Sequence, residues 1–318
     1  MYGVKAILKK ELSDHFSSYR FIILFALIAM VSLITVYMVG LNIKQNLEGV
    51  AKPKYIFLML FTSSGAMFSL ADFVGFFGPL IGLILGFDTI NRERSEGTLS
   101  KLLSQPIYRD TVLNGKFLAG VSVIAVMMVS IVLIITGLGL SMVGVIPGFE
   151  EVWRIAVYLV ISIVYISFWL GLAMLFSILF RSVATSALAA MAVWIFFSFF
   201  ISLGANAVAG AVTPDSGGSN HESLLRRARI EKAISLISPK QLYTDSTVTI
   251  IDPMRKTNRS FVRVGMMEKI SLSRFSGPLP LNQSMLVVLP YIISLLAITA
   301  LCFAISYIVF MRQEIRSL

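Results

Sequence analysis

Charge is scarce in this sequence. Only 14% of its 318 residues are Asp, Glu, Lys or Arg, whereas 57% are apolar and the mean hydropathy is +0.84. Soluble domains carry about 25% charged residues, and no water-soluble fold of this size hides so much apolar surface. Disorder is excluded by the same numbers, because disordered chains are poor in Phe, Ile, Leu and Val. The 22 glycines follow no three-residue period, which removes collagen, and the single cysteine, Cys302, leaves no intrachain disulfide to form. With only two histidines, far apart, a His/Cys metal site is argued against. Gly-x-x-x-x-Gly-Lys-Ser/Thr is missing too: Gly115-Lys116 is followed by Phe117 and lacks the glycine five residues earlier, so no loop of that kind cradles ATP. His-Glu-x-x-His and Gly-x-Ser-x-Gly are likewise absent. These absences leave a membrane protein with no catalytic motif of its own.

What is present is a set of long apolar runs. A spanning helix needs about 20 mostly apolar residues, and six stretches qualify: Phe21–Leu41, Asp72–Ile90, Phe117–Leu140, Arg154–Phe180, Val183–Leu203 and Met285–Met311. The expected fold class is therefore an all-α integral membrane protein. Residues 1–203 hold an N-terminal interfacial helix and spans one to five, 204–284 an outer loop or cap, and 285–318 span six and a tail. Tyr55–Phe61 is too short to cross and reads as an interfacial or re-entrant piece. The first span lacks a small-residue cleavage site and is too long for a signal core. Ahead of it, Val4, Ile7, Leu8, Leu12, His15, Phe16 and Tyr19 recur at helical spacing, with Lys5, Lys9 and Lys10 elsewhere on the wheel. That pattern describes an amphipathic helix in the headgroup plane.

The net charge of +10 falls at the ends of the spans, which fits orientation and headgroup contact rather than nucleic acid. With the N-terminus inside, twelve Lys and Arg lie in short cytoplasmic flanks and four in short outer segments, so both termini are expected in the cytoplasm of a cell-membrane protein. The connection from about Gly204 to Ser284 is net +5 and too long to vote on topology. In it, Asn220–Ser238 reads as an amphipathic helix carrying Arg226, Arg227, Arg229 and Lys232. Thr247–Ile251 and Phe261–Val264 read as short strands, with a second basic group (Arg255, Lys256, Arg259, Arg263) near that hairpin. Such basic residues either solvate a surface helix or hold anionic headgroups or an acidic partner.

Two further patterns stand out. Gly75, Gly78, Gly82 and Gly86 share one face of the second span, the spacing that lets membrane helices approach closely, within the chain or at a seam with a partner. Asp72 and Asp88 fall near the ends of that span and read as boundary residues. Directly after it comes Arg92-Glu93-Arg94-Ser95-Glu96-Gly97-Thr98-Leu99, then Leu102, Leu103, Pro106 and Arg109. Thr98 is placed to cap a short helix with Leu99, Leu102 and Leu103 on one face, ended by Pro106. A short amphipathic helix of this kind suits a groove on a soluble partner.

This string, with the basic start Lys9-Lys10-Glu11-Leu12, six spans and a large connection between the last two, resembles the type-2 ABC transporter permeases. The nearest branch is that of copper-enzyme maturation and sodium or drug export. The resemblance implies a coupling helix seated in a cleft of a separate ATPase, with Glu93, Glu96, Gly97, Thr98, Leu99, Leu102, Leu103, Pro106 and Arg109 at the contact. It also implies two copies of that ATPase, which carries the ATP and Mg and leaves no cofactor in this chain. A second permease, the same or homologous, would complete the assembly, and the direction would be export. The outer connection is longer and more basic than the family's short helical pair, which leaves cargo and any extracytoplasmic partner open. Two other classes stay in view: an ATP-independent channel or carrier, and a mechanotransmission subunit that drives an outer partner.

Overall fold

The computed structural model describes residues 2–47, 55–62, 69–99, 104, 108–144, 146–212, 221–253 and 280–313. Of these, 88% are helical and none is in a strand. The order is α1 (Tyr2–Phe16), α2 (Tyr19–Leu47), a 3-10 turn (Leu58–Leu60), α3 (Leu70–Gly86), α4 (Asn91–Ser95), α5 (Arg109–Val143) and α6 (Phe149–Leu179). There follow α7 (Val183–Ile195), a π turn (Phe196–Phe200), α8 (Ile201–Val212), α9 (His221–Ser235), α10 (Pro239–Ile251) and α11 (Leu281–Arg312). Six helical stretches are long and apolar enough to cross a membrane: Tyr19–Gln45, Leu70–Ser95, Arg109–Met142, Phe149–Leu179, Val183–Val212 and Leu281–Arg312. The fifth runs to Val212, nine residues past the sequence expectation, and so takes in chain allotted to the cap.

Local chemistry sets several of these boundaries. Ser69 caps α3 by accepting the Asp72 amide at 2.9 Å, and the Asp72 carboxylate takes the Ser69 amide in return. Asp72 is thus a cap and not a group poised inside the bundle. Gly148 precedes α6, its amide held by Glu151 at 2.8 Å. Gly144, at φ +63°, ends α5 in the left-handed conformation that favours glycine.

Helix α6 is the spine, packed by α3, α5, α7, α10 and α11. In lipid there is little hydrophobic drive between helices, so close contact has to hold them. Gly82 and Gly86 permit it. A Cβ on Gly82 would stand 2.6 Å from the Ile166 carbonyl oxygen, and one on Gly86 2.7 Å from that of Leu170. Gly78 faces Ile166 as well, while Gly75 lies against Tyr243 of α10. The glycine face is therefore used inside the chain.

The 55–61 stretch does not cross; it is buried at one end of the bundle, with Phe57, Leu60 and Phe61 fully covered. Helix α10 enters the same end. Its Tyr243 stacks on Tyr165 of α6 at 4.4 Å and shares a 3.0 Å hydrogen bond with Ser162, while the Tyr165 hydroxyl donates to Gly75 O at 2.7 Å. Ser238 Oγ, just ahead of α10, donates to the Phe197 carbonyl in the π turn at 2.9 Å. A π turn displaces carbonyls from the regular ladder, which leaves one for an outside donor.

Thr247–Ile251 forms the last turns of α10 and not a strand. Pro239 opens that helix at its first position, and Ser246, Thr247 and Thr249 return their hydroxyls to the carbonyls four residues back. Burial against α3, α6 and α11 then outweighs the extended preference of a Thr, Val and Ile run. Phe261–Val264 and the second basic group lie outside the described residues. The amphipathic helix expected over Asn220–Ser238 is α9.

Candidate functional site

The chain leaves α3 through a turn into α4 and is tied down at once. Ser177 Oγ of α6 accepts the amides of Ile90 (2.9 Å) and Asn91 (3.1 Å), and Asn91 Nδ2 reaches Phe87 O at 3.2 Å. Ser186 Oγ of α7 donates to the same Phe87 carbonyl at 2.8 Å. Arg94 donates to the Gln313 side chain just past α11, Arg109 Nη1 donates to its carbonyl at 3.1 Å, and Gln313 Nε2 donates to Ile178 O at 2.9 Å. The segment between spans two and three is therefore fixed to α6, α7, α5 and the end of α11.

From that base a short exposed turn projects. Arg92, Ser95, Glu96, Gly97 and Thr98 are exposed, with Arg92 Nε donating to Glu96 Oε1 at 2.9 Å. Gly97 sits at φ +70° with nothing within 4 Å of where a Cβ would be, so its glycine serves the backbone turn and not a close approach. Thr98 Oγ1 donates back to Glu93 O at 3.2 Å.

Two residues grouped with the docking face point elsewhere. Leu99 is 1% exposed and belongs to the core. Glu93 turns inward: its Oε1 lies 2.9 Å from Lys116 Nζ of α5 and 3.8 Å from Lys10 Nζ of α1. Lys116 also meets Glu11 Oε1 of α1 at 2.8 Å, and its side chain is only 4% exposed. Helical spacing could not have placed Leu99, because the turn at Gly97 resets the phase, while Glu93 is drawn inward by lysines that distant segments bring to it. Leu102, Leu103 and Pro106 lie outside the described residues.

Beside this cluster opens a cleft of ≈ 540 Å³ between α1 and the ends of α3 and α4. Arg20 and Asp88 pair across its wall, which accounts for Asp88. Burial works against ionisation of Glu11, but Lys116 and then Lys10 outweigh it and hold the carboxyl below its ordinary value. Burial also pushes the pKa of His15, on the same helix, down.

The opposite end of the bundle has a different anchor. Arg154 of α6 is fully buried; it donates to Glu150 (2.9 Å), Ile250 O (2.9 Å) and Ser284 Oγ (3.3 Å) and lies over the Tyr55 ring. Glu150 accepts the Tyr55 hydroxyl at 2.8 Å, and Glu151 the Phe57 amide at 3.1 Å. One arginine thus joins the 55–61 stretch, α6, α10 and α11. In the sequence Arg154 is marked only by its place at the start of a span and its i,i+4 spacing from Glu150.

The four basic residues of α9 do not form one surface. Arg226 and Arg229 are exposed, Arg227 lies by Gly210 of α8, and Lys232 turns in to pair with Asp245 of α10 at 3.2 Å and to sit over Tyr291. Burial pushes the Asp245 carboxyl up against the pull of that lysine. Among the described residues no group of three His, Cys, Asp or Glu side chains is placed to hold a metal.

A protein-family model described as "ABC-2 family transporter protein" matches residues 5–315. No functionally curated protein matches the chain.

Proposed function

Because the chain belongs to the ABC-2 transporter family, and is thereby a membrane transport component, we propose that it couples ATP hydrolysis in a separate ATPase subunit to cargo passage, in the direction of export. The supporting observation is the exposed Ser95–Thr98 turn on a base hydrogen-bonded to three spans. A rigidly held projection can transmit a displacement; a loop on a slack tether cannot. In this reading Glu96, Gly97 and Thr98 meet the ATPase, Arg109 braces them, and ATP and Mg bind the partner. The end bearing α1 and Gln313 faces the cytoplasm of a cell membrane. The exposed apolar faces of α2 and of α7 to α8, including Tyr37, Met38, Leu188 and Phe196, meet lipid and a second permease.

The test is the double substitution Ser95→Arg with Glu96→Arg, both on the exposed turn and neither in the core. It should cut co-purification of the ATPase by at least about tenfold, the scale of about 1.4 kcal/mol of contact energy, while the permease still elutes as a single species. Undiminished co-purification together with undiminished permease-dependent ATP turnover would remove the assignment.

A further inference from the structure

Helix α1 and the α4 turn stand on opposite sides of the cleft, and charge bridges them. On one side α1 rests on α5 by apolar contact, with Ile7 at 2.8 Å from where a Cβ on Gly115 would fall. On the other, α4 leaves the end of α3. Lys116 of α5 sits between, its Nζ 2.8 Å from Glu11 Oε1 of α1 and 2.9 Å from Glu93 Oε1 of α4. The three side chains are 4%, 11% and 15% exposed, so bulk water does not stand in for a lost partner.

We propose that Lys116 is the positioning residue that makes α1, the α4 turn and α5 move as one body. The inference rests on the reading that the turn receives the ATPase, and it specifies the route inward. A displacement of the exposed Glu96–Thr98 turn reaches Glu93 through the backbone, then Lys116, and there divides between the third span and the N-terminal helix. The compact ammonium suits the task, since one point charge can hold two carboxylates. Without it, Glu11 and Glu93 keep only Lys10, which is 55% exposed and stands farther off at 3.4 and 3.8 Å, and in that poorly solvated place the two carboxylates repel. Loss of Lys116 therefore drives α1 and α4 apart, an effect with a sign that simple loss of packing does not have.

The experiment places spin labels at Ser13 and Ser95, both exposed, in a Cys302→Ala background of the full chain in lipid nanodiscs. The first arm contains no ATPase. The parent should give one narrow distance. Lys116→Met should lengthen it by roughly 3 Å or more, about one hydrogen-bonded contact, and broaden it. With Lys10→Gln also present, because that lysine stands 3.4 Å from Glu11 and 3.8 Å from Glu93, the charge-reversed variant E11K/K116E/E93K should restore the parent distribution. The neutral variant E11Q/K116M/E93Q in the same background, which leaves no charge on these four side chains, should broaden the distance without lengthening it. It decides the matter where Lys116→Met does not fold. A Lys116→Met distance equal to the parent's, failure of the folded reversed variant to restore it, or a neutral variant matching the parent would each overturn the proposal. The second arm adds the ATPase with ATP and vanadate. The distance should stay fixed in the parent complex and change in the neutral variant; a change in the parent overturns the one-body motion. If the ATPase does not bind the parent at all, the proposed function fails, while the first arm still decides the role of Lys116.

Discussion

The two ends of this bundle are held by opposite means. At the end bearing α1, an open cleft of ≈ 540 Å³ is bridged by side-chain charges: Lys116 with Glu11 and Glu93, and Arg20 with Asp88. At the other end space is filled. The 55–61 stretch is buried against α2, α5 and α6, and α10 against α3, α6 and α11; Arg154 of α6 has no exposure and donates to Glu150, Ile250 O and Ser284. Both anchors are shielded from water, but the first links three elements beside an open cleft, whereas the guanidinium of the second joins four elements inside the packing. The first end can therefore shift as one charge-linked body against the rest of the bundle, and the second stays closed until several contacts break together.

Three measurements test whether the two ends differ in this way. The largest effect is expected at the packed end. Arg154→Met strands the buried Ile250 carbonyl and takes the arginine from Glu150, which is a third exposed, changes that together cost about 2–4 kcal/mol. Thermal unfolding in detergent should show a large drop in Tm, and a shift no bigger than that of a surface substitution would mean that this end is not locked by Arg154. Second comes the spine. Gly82→Ala places a Cβ 2.6 Å from the Ile166 carbonyl oxygen and should cost about 1–3 kcal/mol through overpacking. Gly137→Ala, on the exposed face of α5 where a Cβ meets nothing and the backbone is helical, should leave Tm nearly unchanged. Equal Tm losses for the two glycines would erase the distinction between a seam and an exposed helix face.

The smallest effect belongs to the cleft. Burial holds the His15 pKa below its ordinary 6.5. Below pH 6.5 the undocked α1 therefore takes up a proton that the docked helix resists. Docking is unaffected above that pH and weakens as pH falls. The charged groups facing His15 are Glu11, Lys116, Asp88 and Asp14, of which Glu11 is held below its ordinary carboxyl value. A spin label at Ser13 should gain mobility between pH 7.5 and 5.5, and His15→Phe should abolish the change. A flat response in the parent would show that α1 stays seated whatever the state of His15.

How much of this was legible in advance divides along particular residues. The spans were readable because about twenty apolar residues have one physical solution in a membrane, a helix with every backbone group satisfied internally. Helix α1 was readable from the recurrence of Val4, Ile7, Leu8 and Leu12. The small-residue stripe at Gly78, Gly82 and Gly86 announced a close approach, though not its partner, α6. The strand expected at Thr247–Ile251 failed because β-branched residues carry a preference that burial and hydroxyl-to-backbone bonds can override. Leu99 was expected on a docking face, and its burial could not be read because the left-handed Gly97 breaks the helical phase just before it.

Hydropathy and period are local quantities, so six apolar helices, a basic amphipathic helix before the first and a charged connection after the second could be read from the residues alone. Only the tertiary structure decided which charges do structural work. Glu11, Glu93 and Lys116 are separated by up to 105 residues and meet within 3 Å. Arg154 joins Tyr55, Ile250 and Ser284 across comparable distances in the chain. The energy of such a group depends on desolvation and on its partners, and both are set by the packing of distant segments, which no local pattern encodes.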